Sequence, residues 1–295
     1  MVHDTVKFLY AKKSKRIWVI SDLQQSVYES AQRCLKCAVD DFKGLNLDCV
    51  RIMYLGDAVE GSDFESIKKM TEMQVNELEL GIEIRYLLGN HEFDFYKFHK
   101  INLGRMEIPF YEMVKGLPNW GSSQSLEDFY FFEEFDDFAI VCLTDHAAQD
   151  GAWYTTHGEV YGNKLEYPYG EKEYYGLINK ISQIKKPVFT FSHYAFAGGN
   201  RPSALLDYLL PLPGNVKIHF YGYAHIGDSV WAGKDCFRKI ACVDSQNIPQ
   251  INASSLEDIR GSAVRSVFLE IYEDGGYGVL FRNHSKKKWE EAYII

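Results

Sequence analysis

The chain has 295 residues, with 32 Lys and Arg against 41 Asp and Glu and a net charge of −9 at pH 7. That acidity argues against a protein built to wrap duplex nucleic acid or to lie on an anionic membrane, since both demand a basic face. No run approaches the ~18 consecutive apolar residues of a membrane span, the start MVHDTVKFLYAKKSKR lacks the apolar centre of a secretory leader, and six scattered cysteines are too few for a disulfide framework, so the chain reads as cytoplasmic.

In chain order, Ile17–Ile20 is a brief apolar strand that stops at Ser21-Asp22, and a helix follows over 27–42. Val50–Leu55 is the next strand, ended by Gly56-Asp57, and an amphipathic helix covers 63–80. Ile82–Leu88 is the third, ended by Gly89-Asn90-His91. This alternation of strand and helix predicts a largely parallel, buried sheet. One or two helical pieces after Glu92 lead to a hairpin of Phe129–Phe132 and Phe138–Leu143. Residues 145–172 show no clean period and read as a long aromatic-rich loop, long enough to cover a site. A helix at 173–184 precedes the strand Val188–Phe191, which ends at Ser192-His193, and a helix at 203–210 precedes Val216–Tyr221, which ends at Gly222. The last quarter alternates apolar and polar residues over 237–243, 264–272 and 278–281, with Asp274-Gly275-Gly276 as a tight turn, and so reads as antiparallel. Cys34 and Cys37 lie one turn apart in the first helix with no second pair downstream, which points to packing and not to zinc or redox chemistry. One domain over 1–295 with two sheets is the economical reading.

Five strands thus end in polar clusters, at Asp22-Leu-Gln24, Gly56-Asp57-Ala-Val-Glu60, Gly89-Asn90-His91-Glu92, Ser192-His193 and Gly222-Tyr223-Ala-His225. The crevice beyond the carboxyl ends of parallel strands is where open α/β sheets bind ligands. Carboxylates, amides and imidazoles gathered there make an oxygen and nitrogen cage for hard or borderline divalent ions, and the carboxylate of Asp57 has two oxygens with which to bridge a pair. Bland readings stand beside this one. Asp22 is also placed to cap the helix that follows, and His193 is also placed to be a hydrogen-bonded core residue.

The order Asp-x-Gln, Gly-Asp-x-x-Glu, Gly-Asn-His-Glu, a later strand-end His and Gly-x-x-His resembles the calcineurin-like metallophosphoesterase superfamily over roughly residues 16–228, with YLGDAVEG and YLLGNHEFD as its most specific strings. The resemblance implies an α/β sandwich of two facing β-sheets flanked by helices. It implies two divalent ions (Mn, Fe, Zn or Mg), the first held by Asp22, Gln24, Asp57 and His225, the second by Asp57, Asn90, His193 and the residue at 223. It implies that a hydroxide shared by both ions hydrolyses a phosphomonoester or phosphodiester. His91 would act as general acid, and Glu92 would hold His91 or the neighbouring loop in place. Positions 24 and 223 depart from the family pattern, which has His at both; Gln24 offers an amide oxygen, and Tyr223 offers a phenol to an ion or to the substrate. These departures leave a rival reading open, a catalytically weakened member that binds a ligand through the same scaffold. Arg201 within GGNRP is a candidate phosphate clamp and His146 a candidate substrate contact. The acidic, aromatic-rich composition favours a small phosphorylated substrate, a nucleotide or sugar phosphate.

Overall fold

Alternation along a single strand builds the layers. In β1 (Ser14–Ile20), Ile17 and Val19 face one side while Trp18 and Ile20 face the other, and all four are fully buried. A computed structural model describes residues 14–60, 63–93, 109–121, 130–143, 146–149, 152–155, 171–195, 213–225, 241–242, 248–259 and 262–294 of the chain. After β1 come α1 (Tyr28–Leu45), β2 (Arg51–Tyr54), α2 (Phe64–Glu77), β3 (Ile84–Tyr86), α3 (Pro109–Val114), β4 (Trp120–Gly121), β5 (Tyr130–Glu134) and β6 (Ala139–Leu143). Then follow β7 (His146–Gln149), β8 (Ala152–Thr155), α4 (Glu171–Gln183), β9 (Val188–Ser192), β10 (Val216–Tyr221), β11 (Ala241–Cys242) and β12 (Pro249–Asn252). The described chain ends with β13 (Arg265–Tyr272), β14 (Tyr277–Asn283) and β15 (Lys288–Ile294).

The strands form a seven-stranded sheet, β15-β14-β13-β1-β2-β3-β4, and a six-stranded sheet, β11-β12-β10-β9-β6-β5. In the first, β1 to β4 are parallel and β13 runs antiparallel to β1, with Ile17 opposite Arg51 on one side and Leu269 on the other. In the second, β6, β9, β10 and β12 are parallel, with β5 and β11 as antiparallel edges. Ile17, Val19, Met53, Leu55, Phe189, Phe191, Ile218, Phe220, Val267 and Leu269 fill the space between the sheets. Trp18 and Ile20 pack outward beneath Leu35, Ala38 and Phe42 of α1 and Ile67 and Met70 of α2. On the far side, Ala139 and Val141 meet Leu177 and Ile181 of α4. Helices, sheet, sheet and helix make the four layers that the resemblance implied.

The parallel β1-β2-β3 unit, the β5–β6 hairpin and the β13–β14 hairpin match the sequence reading. Within the 145–172 segment, β7 and β8 pair antiparallel from His146–Thr155 to Gln149–Ala152, a hairpin that the sequence pattern did not reveal. The two intervening residues are Asp150-Gly151, a dipeptide that favours tight hairpins. Strands β4 and β12 are short, and β15 mixes charged and apolar residues without a clean alternation, so none of the three is visible locally. Of the strand expected at 237–243 only β11 lies within the described residues, and the helix expected at 203–210 lies outside them.

Candidate metal centre

Asp22, Asp57 and Asn90 follow β1, β2 and β3, while His193 and the 222–225 segment follow β9 and β10, so both sheets deliver residues at the same edge. Close backbone approach makes this possible. A β-carbon at Gly89 would collide with the Asp57 carboxylate and lie 2.7 Å from the His193 ring, and one at Gly222 would collide with Ser21 and lie 2.9 Å from Asp22 Oδ2. Asp22 is not a helix cap. The residue before α1 is Val27, which makes no side-chain cap, and both Asp22 oxygens accept from the Tyr223 backbone N–H at 3.1 and 3.0 Å.

Two groups of ligating atoms share Asp57. In the first, Asp22, Asp57 and His225 each bring an atom within 4.8 Å of the others. His225 Nε2 lies 3.2 Å from Asp22 Oδ1 and 2.5 Å from the Gln24 amide nitrogen. In the second, His193 Nε2 lies 3.4 Å from Asp57 Oδ2 and 3.3 Å from Asn90 Oδ1. Both histidines are oriented from behind. His193 Nδ1–H donates to the Leu55 carbonyl at 2.7 Å, and His225 Nδ1–H donates to Glu257 Oε1 at 2.8 Å, which leaves each Nε2 to face the site.

Glu92 is buried beneath the turns. Its Oε2 accepts from the N–H of Asp57 (3.1 Å) and Gly89 (2.6 Å), and its Oε1 from Ala58 (2.5 Å) and Val59 (3.4 Å). It therefore holds the two loops together, and the backbone of His91 is held by Asp57, whose Oδ1 accepts its N–H at 2.8 Å. Burial, reinforced by the negative charge of Asp57, pushes the Glu92 carboxyl up to about 7. Burial also works against the charge on Asp57, but His193 and the His91 N–H outweigh it and hold that carboxyl well below the usual range. His193 is drawn up to about 10, burial being overcome by Asp57 and Asp22. His193 is thus the cationic partner of the buried Asp57 carboxylate.

Two atoms test whether metal ions fit. Asp57 Oδ2 and Gln24 Oε1 are both buried and neither receives a hydrogen bond. An unsatisfied buried carboxylate oxygen is costly, and no Lys or Arg bonds to Asp22 or Asp57 among the described residues. A half-turn of the Gln24 amide would set its oxygen beside His225 Nε2, where one ion could take both as ligands. The donor set fits.

The structure gathers Asp22, Gln24, Asp57, Asn90, His193 and His225, with Glu92 beneath them and the half-buried His91 beside Asn90. Tyr223 is brought in as well; its ring packs edge-on against His193 (5.6 Å between centroids) and Tyr194 (4.9 Å). Arg201 lies outside the described residues, as does the side chain of His146, whose backbone opens β7. Glu257 escaped the sequence reading. It lies far beyond the motifs and carries no local signal, and only the fold brings it to His225.

A family model for calcineurin-like phosphoesterases matches residues 15–226. No curated protein sequence matches the chain. Among solved structures, a purple acid phosphatase from yellow lupin (Lupinus luteus) seeds superposes with a TM-score of 0.57 at 12% identity, over 96% of this chain and 54% of the lupin chain, so the present chain spans about half the length of that relative. At that identity the likeness is one of fold. A protein of Thermus thermophilus matches with a TM-score of 0.48 at 10% identity over 96% of this chain and 99% of its own.

Proposed function

The chain belongs to the calcineurin-like phosphoesterase family, and from that premise we propose that it is a metal-dependent phosphoesterase that holds two divalent ions through the shared carboxylate of Asp57. The observation that carries this reading is the convergence of Asp22, Gln24 and His225 on one side of Asp57 and Asn90 and His193 on the other, with Asp57 Oδ2 lacking a hydrogen bond. When bound, divalent ions neutralise phosphoryl oxygens and make water acidic enough to attack phosphorus at neutral pH. The chain's own residues set the geometry. Leu55 and Glu257 fix the two imidazoles, Tyr223 N–H fixes Asp22, and Glu92 ties the turn of Asp57 to that of Asn90. His91, adjacent to Asn90 and anchored on Asp57, is the residue we assign to protonate the leaving oxygen. The substrate class we assign is a small phosphomonoester or phosphodiester, a nucleotide or sugar phosphate in keeping with the net charge of −9.

A second reading, a weakened enzyme that serves as a binding protein, draws support from Gln24 and Tyr223 standing where the family pattern has histidine. One experiment separates the two. Hydrolysis of p-nitrophenyl phosphate and bis(p-nitrophenyl) phosphate should vanish when metal is stripped with chelator and return with Mn. Stoichiometric Mn without turnover would favour the binding protein, and undiminished turnover by verified metal-free protein would refute both.

A further inference from the structure

The segment from the end of β12 onward lies beyond the part of the chain matched by the family model, yet it is bonded into the site at several points. Asn252 Nδ2 donates to the Ala224 carbonyl at 3.1 Å, Ala253 N–H to Tyr221 at 2.7 Å, and Leu256 N–H to Ser21 at 3.0 Å. Ser21 and Ala224 adjoin Asp22 and His225. The segment therefore grips two of the three strand ends that supply the first group of ligating atoms, those of Asp22 and His225. At its end stands Glu257, fully buried, with Oε1 accepting from His225 Nδ1–H at 2.8 Å and Oε2 accepting from the Ile259 N–H at 3.1 Å. Ser262 Oγ donates to the Glu257 carbonyl at 2.9 Å, which pins the residue's backbone as well.

We propose that Glu257 is a positioning residue for the first ion site, locking His225 as an Nε2 ligand and strengthening it to offset the amide that stands at position 24. A neutral imidazole has two tautomers, and only the one with its proton on Nδ1 presents a lone pair toward Asp22 and Gln24. A buried carboxylate on Nδ1 selects that tautomer, fixes the ring plane and makes Nε2 a better electron donor. The need is specific to this chain. An amide oxygen is a weaker ligand for borderline ions than imidazole, so with Gln24 in place the site depends more heavily on His225. This inference rests on the metal reading above.

The test uses the full chain, stripped of metal and titrated with Mn(II), followed by the electron paramagnetic resonance signal of free Mn and by calorimetry. The parent should bind two ions. Glu257→Ala should weaken one of them by about 10–100-fold and leave the other near its parent affinity. Glu257→Gln, whose amide oxygen still accepts from Nδ1–H and whose shape fills the same space, should recover part of that loss. In a His225→Ala background, Glu257→Ala should cost nothing further, since Glu257 acts only through His225. Additive losses in that double variant, or Glu257→Gln and Glu257→Ala both binding two ions as the parent does, would overturn this role and leave the phosphoesterase reading intact. A parent that binds no Mn would overturn both.

Discussion

At the scale of single residues the site is held by backbone conformations that side-chain-bearing residues rarely adopt. Asp22, Asp57 and Tyr223, with φ of 55°, 52° and 64°, are three of the six non-glycine residues in the left-handed region among those described. Such conformations persist where the surroundings over-determine them, and here hydrogen bonds do so: Asp22 N–H donates to the Gly56 carbonyl at 3.1 Å, and four N–H groups around Asp57 and Gly89 converge on Glu92. Glu92→Gln exchanges one accepting oxygen for an NH2 that must face N–H donors. It should lower unfolding stability by roughly 1.5–3 kcal/mol, the range for hydrogen bonds to a charged group, and reduce metal content along with it. Urea denaturation and elemental analysis read the two effects; a variant with parental stability and two bound ions would show that the carboxylate is not the keystone of these turns.

At the scale of elements, each strand that matters stops where its ligand begins, and β1 and β2 are followed by α1 and α2. The two long helices on the first sheet start differently. Asp63 caps α2, its Oδ1 accepting from the Ser66 N–H at 2.8 Å. Val27 stands at the cap of the 18-residue α1 with the extended backbone a cap requires (φ −103°, ψ 114°) but no side-chain oxygen, and it is 54% exposed. Val27→Ser supplies that oxygen and removes an exposed apolar group. It should stabilise the protein by about 1 kcal/mol, seen as a higher melting temperature with unchanged metal binding. A lower melting temperature would mean that Val27 makes contacts which outweigh the cap.

At the scale of the whole molecule, a buried polar chain ties α1 to the sheet it covers. Arg282 Nε and Nη2 each lie 2.8 Å from an Asp41 oxygen, His284 Nδ1 bonds Asp41 at 2.8 Å, His284 Nε2 lies 2.7 Å from Ser266 Oγ, and Trp18 Nε1–H donates to the same Oγ at 2.7 Å. Asp41→Ala leaves the Arg282 charge buried without its partner and should cost about 3–5 kcal/mol. The network also sets an acid limit. Burial keeps His284 below its usual 6.5 in spite of Asp41, and in the second sheet, apart from this network, burial pulls His219 down to about 3. At these two residues the unfolded chain takes up protons near 6.5 that the folded chain refuses, so their contribution to stability falls as pH drops through that value. Asp41 adds a second step: against burial, Arg282 and His284 hold it at about 2 and not 3.8, so its contribution is complete above 3.8 and lost toward 2. His193 and Glu92, held above their usual values, act in the opposite direction over the same window, so the test is a difference: between about pH 8 and about pH 5 the urea midpoint of the parent should lose more than that of His284→Gln. The same pH dependence in the parent and in His284→Gln would refute the assignment of a neutral buried His284.

The local part of this architecture is written in the chain. The β-α-β-α-β alternation, the Asp-Gly-Gly turn between β13 and β14, and the motif residues at strand ends were all readable, because each depends on neighbours within a few positions. Asp22, Asp57 and Asn90 come together for the same reason, since parallel strands in one sheet must end at one edge, whereas it is the packing of the two sheets that brings His193 and His225 to that edge. Which strands share a sheet was settled by long-range packing: β1 lies between β2 and β13, whose residues are far apart in the chain, and nothing local in Ile17–Ile20 encodes that pairing. The same packing put Glu257 behind His225, and it made strands of β4, β12 and β15, because short or charged segments become strands only when a neighbouring edge satisfies their backbone. A side chain's chemistry is written in its own position, whereas its partners across the fold are fixed by burial and hydrogen bonding summed over the whole chain.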